Sequence, residues 1–219
     1  QGKEEIILNA GDIISMPTNM FRAFENVGKE EGLIFVVLGG DDPGIITWVP
    51  DVLRKAKETG MALLEDNSLI DLTTNKIPEG KKLLEPISND ELNKFENFKL
   101  NELKKFISKF ANRSKYENNL GNGVSLIQMI GKQFIDKSFT PVINQDTGFN
   151  LSILKAKKGI LNDLIFNKPT ILFSQKGLWN IQIQNSNIKL DSKDTFSVPI
   201  DTKLNISIDE NEEAYLNCV

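Results

Sequence analysis

Two segments far apart in the chain share one pattern. Gly11-Asp12-x-x-Ser15-x-Pro17 returns as Lys193-Asp194-x-x-Ser197-x-Pro199, and every shared position is offset by 182 (194 − 12). The register continues without a gap, so that Glu30-Glu31 falls on Glu212-Glu213 and Val37 on Val219. Distant segments with one spacing point to two copies of a structural unit, and a repeat constrains the architecture before any single residue does.

The next constraint is an absence. The 219 residues contain no histidine and one cysteine, Cys218. Histidine is the commonest metal ligand and the usual general base near neutral pH. Within this chain, Ser-His-Asp catalysis, imidazole-assisted hydrolysis and His-ligated iron or zinc are excluded. One thiol excludes a disulfide framework and thiolate zinc sites. Carboxylate and carbonyl sites of the magnesium or calcium kind stay open, with Asp41-Asp42 a candidate whose Gly-Gly-Asp-Asp-Pro-Gly setting (39–44) reads first as a turn.

The net charge is −4 and no dense basic cluster occurs, so nucleic acid is not an expected partner. No run of about 18 apolar residues is present, so no membrane span is expected. The first residues lack the charged-then-apolar pattern of a signal segment, and the lone cysteine fits a reducing compartment; both imply a cytoplasmic protein. Abundant Lys, Asn and Ile suggests an AT-rich bacterial genome.

Residues 1–40 read as short strands: Glu5–Leu8, Asp12–Met16, parts of Phe21–Asn26, and an apolar run, Leu33–Leu38, expected to be a buried strand. A helix is expected over Asp51–Thr59, stopped by Gly60. Two brief strands, 61–64 and 68–72, flank an Asp66-Asn67 turn. A second helical stretch starts at Ser88, with Asp90 and Glu91 in its first turn. Leu103, Phe106, Ile107 and Phe110 then recur at i, i+3, i+4, i+7, the spacing of a core or interface helix. Residues 112–123, rich in Asn and Gly, read as a linker; Asn112-Arg113-Ser114 matches a glycosylation acceptor, which means little without a secretory signal. From Val124 strands dominate: 125–130, 149–156, 169–174, 178–183, 195–198, 203–208 and 214–218.

The spacing Gly11-x5-Pro17-x-Asn19-x2-Arg22-x3-Asn26 resembles the second conserved motif of the cupin superfamily, G(X)5PXG(X)2H(X)3N. Asn19 stands for the second glycine and Arg22 for the metal-binding histidine. In the second copy Lys193, Pro199, Asp201, Leu204 and Ile208 take the corresponding positions. Pro169–Gly177 is similar to the end of the first cupin motif, with Thr170 at its glutamate and Leu164 and Phe166 near its two histidines. The resemblance covers about 1–72 and 124–219 and implies a mainly β protein: a bicupin of RmlC-like, double-stranded β-helix jelly-roll barrels with a partly helical connector. The domains expected are 1–45, the second half of a first barrel; 46–123, the connector; and 124–219, a second barrel. The front half of the first barrel is then missing, or supplied by 61–72 or by a partner chain, which favours a homodimer.

None of the residues at the motif positions suits a transition metal, and the resemblance with these replacements implies a metal-free, non-catalytic cupin without a cofactor. Its role is binding of a small acidic or polar metabolite, or assembly. The alternative is a cupin enzyme, dioxygenase-like, isomerase or lyase, with catalytic residues in a missing half-barrel. Arg22 is the candidate carboxylate or phosphate clamp, Asn26 a supporting donor or a turn residue, and Trp179, with Trp48, a candidate pocket wall or core residue. Tyr116 and Tyr215 are the only phenols.

Overall fold

The computed structural model describes residues 4–39, 46–131, 139–145 and 147–219. In chain order the elements are β1 (Ile13–Ile14), α1 (Pro50–Glu58), β2 (Met61–Leu63), β3 (Leu69–Asp71), α2 (Asn89–Leu92), α3 (Leu100–Leu103), β4 (Ile107–Ser108), β5 (Asn118–Gly121), β6 (Val124–Ile130), β7 (Leu151–Ile165), β8 (Thr170–Lys176), β9 (Trp179–Ile183), β10 (Ser186–Leu190), β11 (Thr195–Val198) and β12 (Lys203–Cys218). Short 3-10 turns occupy Lys104–Phe106 and Phe110–Tyr116. The protein is mainly β.

Two compact units divide these elements. The smaller takes residues 18–32 and 46–98; the larger takes 4–17, 33–39 and the chain from Lys99 onward. The larger unit is therefore built from discontinuous segments, whereas the sequence suggested breaks near 45 and 123.

In the smaller unit α1 begins with Pro50 at a position that needs no N–H and ends at Thr59, with Gly60 beyond it at φ 83°. β2 and β3 form a hairpin around Asn67, at φ 63°. Ser88 caps α2: Glu91 N donates to its hydroxyl, and the Glu91 carboxylate accepts from Ser88 N. These elements agree with the expectations from sequence.

The larger unit is an eight-stranded antiparallel sheet. Its hydrogen-bonded path runs β10-β9-β12-β7-β6-β5, with β8 pairing both β12 and β11. β12 pairs β7 along most of its length, interrupted between Asp209 and Ala214. On its other edge the first half of β12 meets β9 and the second half meets β8. The irregularity between Asp209 and Ala214 lets one long strand pair β9 with its first half and β8 with its second along the same edge. The expected separate strands at 203–208 and 214–218 are thus one bent strand.

Two apolar clusters lie on opposite faces of β6 and β7. Leu126 and Leu154 are cross-strand partners in the main core, which also holds Leu172, Trp179, Ile181, Leu204, Ile206 and Leu216. Ile127 and Ile153, one residue along, are partners in the second core with Met129, Ile143 and Tyr215. Successive side chains of a strand point to opposite faces, so β6 is buried on both. In β9 the alternation is one-sided: Trp179 and Ile181 are buried and Asn180 and Gln182 exposed.

Several expectations are corrected here. Leu33–Leu38 is not a buried strand. It carries no strand assignment, and among the described residues no strand pairs with it; Leu33 to Val36 and Leu38 are exposed and Val37 is half-buried, although the Phe35 ring stacks 4.0 Å from that of Phe173. Glu5–Leu8 and Phe21–Asn26 are not strands either. The stripe at 103–110 is not one helix. α3 stops at Leu103, and Ile107-Ser108 leave helical geometry to pair with β1. Residues 112–123 are not a linker: they hold a 3-10 turn, β5 and an Asn122-Gly123 hairpin loop with φ 49° and 78°, the two positive φ values of a type I′ turn. The turn expected at 39–44, including Asp41-Asp42, lies mostly outside the described residues.

The repeat is real as local structure. Asp12 N donates to Asn9 O at 3.0 Å while Asn9 N donates to Asp12 Oδ2 at 2.9 Å. Asp194 and Asp191 make the same reciprocal pair at 3.0 and 3.0 Å. Gly11 and Lys193 share a left-handed position (φ 84° and 76°), as do Asn19 and Asp201 (φ 60° and 57°). β1 follows the first turn and β11 the second. Beyond Asn19 and Asp201 the copies part: 20–39 is irregular, while β12 follows Asp201.

Candidate functional site

The second-copy positions matched to the motif histidines are buried, and hydrocarbon fills them. Leu164 and Leu204 are cross-strand partners, and both join Phe166 in the main core. Thr170, also buried, donates its hydroxyl to Lys168 O. Three apolar side chains and a hydroxyl already engaged do not fit a transition ion. Among the described residues no group of three or more Asp, Glu or Cys side chains is arranged to hold a metal.

The three side chains singled out from sequence divide between the two units, Arg22 and Asn26 in the smaller and Trp179 in the larger. Arg22 is exposed. Asn26 holds its own turn, donating to Glu30 O at 2.8 Å and accepting from Gly28 N at 3.0 Å. Trp179 is fully buried, with Nε1 donating to Lys176 O at 3.2 Å, so it is core and not pocket wall. Trp48 is half-buried and Tyr116 exposed.

Chemistry gathers elsewhere in the larger unit, where the first repeat meets the 3-10 turn Phe110–Tyr116. Asp12, with its side chain 3% exposed, accepts from Lys109 Nζ at 2.7 Å, Phe110 N at 2.8 Å and Asn9 N at 2.9 Å. Burial alone would raise its pKa. The Lys109 hydrogen bond and the two backbone donors outweigh burial and hold the carboxyl below its ordinary value. One carboxylate thus clamps residues 9–12 to the start of the turn.

That clamp sets the backbone of Gly11 over Arg113. Arg113 is 2% exposed; its Nη2 donates to Gly11 O, and Cζ lies 5.3 Å from the Phe110 ring centroid. Among the described residues its Nε and Nη1 have no hydrogen-bond partner and no carboxylate forms an ion pair with it. Desolvation pulls its pKa from 12.5 to about 10, with the more distant Asp12 and Tyr215 opposing the fall. A buried cation with two open N–H groups is costly and calls for an acceptor.

Beside it lies a shallow hollow of about 180 Å³ that Arg113 lines together with Glu117, Lys155, Glu213 and Tyr215. Lys155 Nζ bridges Glu117 Oε1 at 2.7 Å and Glu213 Oε1 at 3.0 Å. Burial would lower the lysine's pKa, but the two carboxylates raise it above its usual value. Tyr215 Oη donates to Glu213 Oε2 at 2.8 Å, and burial, reinforced by that carboxylate, lifts the phenol to about 12. Phe110, Glu213 and Tyr215 are shared with a larger hollow of about 390 Å³ bounded by Gly11, Gln175 and Lys176. Phe110 and Tyr215 meet edge to face there, with centroids 5.2 Å apart. The two hollows, side by side across these shared residues, offer an apolar floor, a buried cation and a charged rim, which are the parts of a small-molecule seat.

No protein-family model matches the chain, and comparison with curated proteins finds no match. Solved structures similar to it include cupins. A cupin superfamily protein from Desulfitobacterium hafniense is 14% identical, with 51% of this chain and 87% of that one covered and a TM-score of 0.35. KdgF from a Halomonas species is 12% identical over 51% and 90%, with a TM-score of 0.38. A protein of unknown function from Vibrio parahaemolyticus is 15% identical over 47% and 93%, with a TM-score of 0.35. The chain is similar to cupin-superfamily structures. At these scores the likeness carries no argument about the site, which rests on the residues above.

Sequence reasoning missed Arg113 because its burial is not local. Gly11 and Phe110 create it from 102 and three residues away, and nothing in Asn112-Arg113-Ser114 announces either. A signal did exist for Asp12, the invariant acid of the repeat.

Proposed function

We propose that this chain is a cupin-type module that binds a small acidic or polar metabolite and performs no chemistry on it, with its seat in the cleft beside Arg113. The clamp role that the motif register assigned to Arg22 passes to Arg113. One observation carries the reading: an arginine 2% exposed, with Nε and Nη1 unpartnered among the described residues. Folding alone gains little from burying a cation in that state. A ligand oxygen that accepts from it would repay the desolvation, which is the balance expected of a binding site. The hydrocarbon at Leu164, Phe166 and Leu204 supports a seat outside the main core.

Thermal shift with a panel of small carboxylates and neutral polar metabolites tests this, on wild type and Arg113→Met. A binder present at about 100 times its Kd stabilises by about 2.7 kcal/mol, a rise of several degrees in Tm. The rise is expected in the wild type and absent in Arg113→Met. Equal stabilisation of both proteins by every active compound would refute the seat, and turnover of a bound compound would refute the non-catalytic part.

A further inference from the structure

The charges around the smaller hollow narrow the ligand further. This step rests on the binding reading above. Four charged side chains line the hollow: Arg113, Lys155, Glu117 and Glu213. They are not mixed evenly. Lys155 is committed to both carboxylates, at 2.7 and 3.0 Å, so this trio carries one negative charge in excess. Tyr215 spends its only proton on Glu213. Arg113 carries the compensating positive charge; Nη2 donates to Gly11 O, while the buried Nε and Nη1 have no partner among the described residues. The hollow therefore has a positive side with two N–H groups unmatched and a negative side with carboxylate capacity to spare.

A dianion such as phosphate satisfies Arg113 but meets Glu117 and Glu213 with like charge. A plain monoanion meets the same repulsion in weaker form, and a plain amine leaves Arg113 unpaired. A molecule with a carboxylate and an ammonium on the same carbon satisfies both sides and leaves the site neutral. The larger hollow then receives its side chain against the edge-to-face pair of Phe110 and Tyr215, so an apolar side chain is favoured.

We infer that the cleft takes a free α-amino acid with an apolar side chain, its carboxylate on Arg113 and its ammonium toward Glu117 and Glu213.

Titration calorimetry with L-leucine, N-acetyl-L-leucine, L-leucinamide and inorganic phosphate tests the inference on the full chain. L-Leucine is expected to bind, and the two derivatives, each lacking one charge, to bind at least about tenfold more weakly. Phosphate is expected not to bind. Glu117→Gln keeps the shape of the site and one of the two ion pairs to Lys155, so it remains folded if Arg113 variants do not; it is expected to weaken L-leucine at least about fivefold and to leave N-acetyl-L-leucine unchanged or tighter. If N-acetyl-L-leucine or phosphate binds as well as L-leucine, the zwitterion inference fails while the anion seat stands. If none of the four compounds binds and the wider panel is silent too, both fail together.

Discussion

At the scale of single residues, Arg113 and Asp12 make opposite contributions to stability. Arg113 brings a cation inside with one protein acceptor, so removing the charge while keeping the volume relieves a cost. Arg113→Met is expected to leave stability within about 1 kcal/mol of wild type or to raise it, while Arg113→Ala, which also opens a cavity, is expected to lower it by about 2 kcal/mol. Urea denaturation reads both. A clear loss with methionine would mean that the guanidinium is structural and not held for a ligand. Asp12 behaves differently. Its carboxylate accepts three hydrogen bonds, and its folded pKa lies below the ordinary 3.8. A carboxyl depressed on folding contributes stability that is complete above its unfolded pKa and lost as pH falls through the folded one. Asp12→Asn is therefore expected to cost about 2 kcal/mol at pH 6, with the gap to wild type closing below pH 3.8. A gap that stays constant down to pH 3 would show that the charge of Asp12 is immaterial.

At the scale of elements, the two repeated turns form a natural experiment. Both third positions are left-handed, yet one is Gly11 and the other Lys193. Glycine adopts that conformation freely, and a residue with a Cβ does so at a cost of about 1 kcal/mol. At Gly11 the need is also steric, because a Cβ there would lie 2.8 Å from Phe110 Cδ2. Lys193→Gly is expected to stabilise by up to about 1 kcal/mol, and Gly11→Ala to destabilise by more than that and weaken binding, since it displaces Phe110. Paired thermal melts decide it; a stabilising Gly11→Ala would contradict the described turn. The same elements mark what the sequence could tell. Most strands from Val124 onward were legible, some by a buried face with period two, as at Trp179 and Ile181, and β6 by a continuous apolar run buried on both faces; β10 and the second half of β7, whose residues are mostly polar or exposed, were not. The left-handed turns were legible in Asn19, Asp201 and Gly11. The Asn122-Gly123 dipeptide also carried a hairpin signal, hidden by the polar residues around it. The segment 103–116 was illegible for a physical reason: its helical spacing is satisfied locally, but Ile107-Ser108 gain more by pairing with β1, a partner nearly a hundred residues away. The site shares that fate, since Arg113 lies within this segment.

At the scale of the larger unit, the two apolar clusters depend on different parts of the chain. The main core draws every one of its buried side chains from Val124 to Cys218. The second has Ile13, Phe106 and Phe110 packed against it, and the cleft lies on that side, tied down by Asp12 and Gly11. A chain starting at Lys99 thus keeps the main core whole but loses β1, the Asp12 clamp and the single protein acceptor of Arg113. Its amides in β7, β9 and β12 are expected to keep slow hydrogen exchange, while those of Ile107, Ser108 and Phe110 exchange at nearly the rate of free chain. The ligand response is expected to vanish with them. A peptide of residues 4–17 supplied at millimolar concentration is then expected to restore protection at Phe110, whose N–H it accepts through Asp12, and the ligand response with it. Fast exchange throughout the truncated chain would instead make residues 4–17 part of the main folding unit, and retained protection at Phe110 without the peptide would show that the cleft owes nothing to the first repeat.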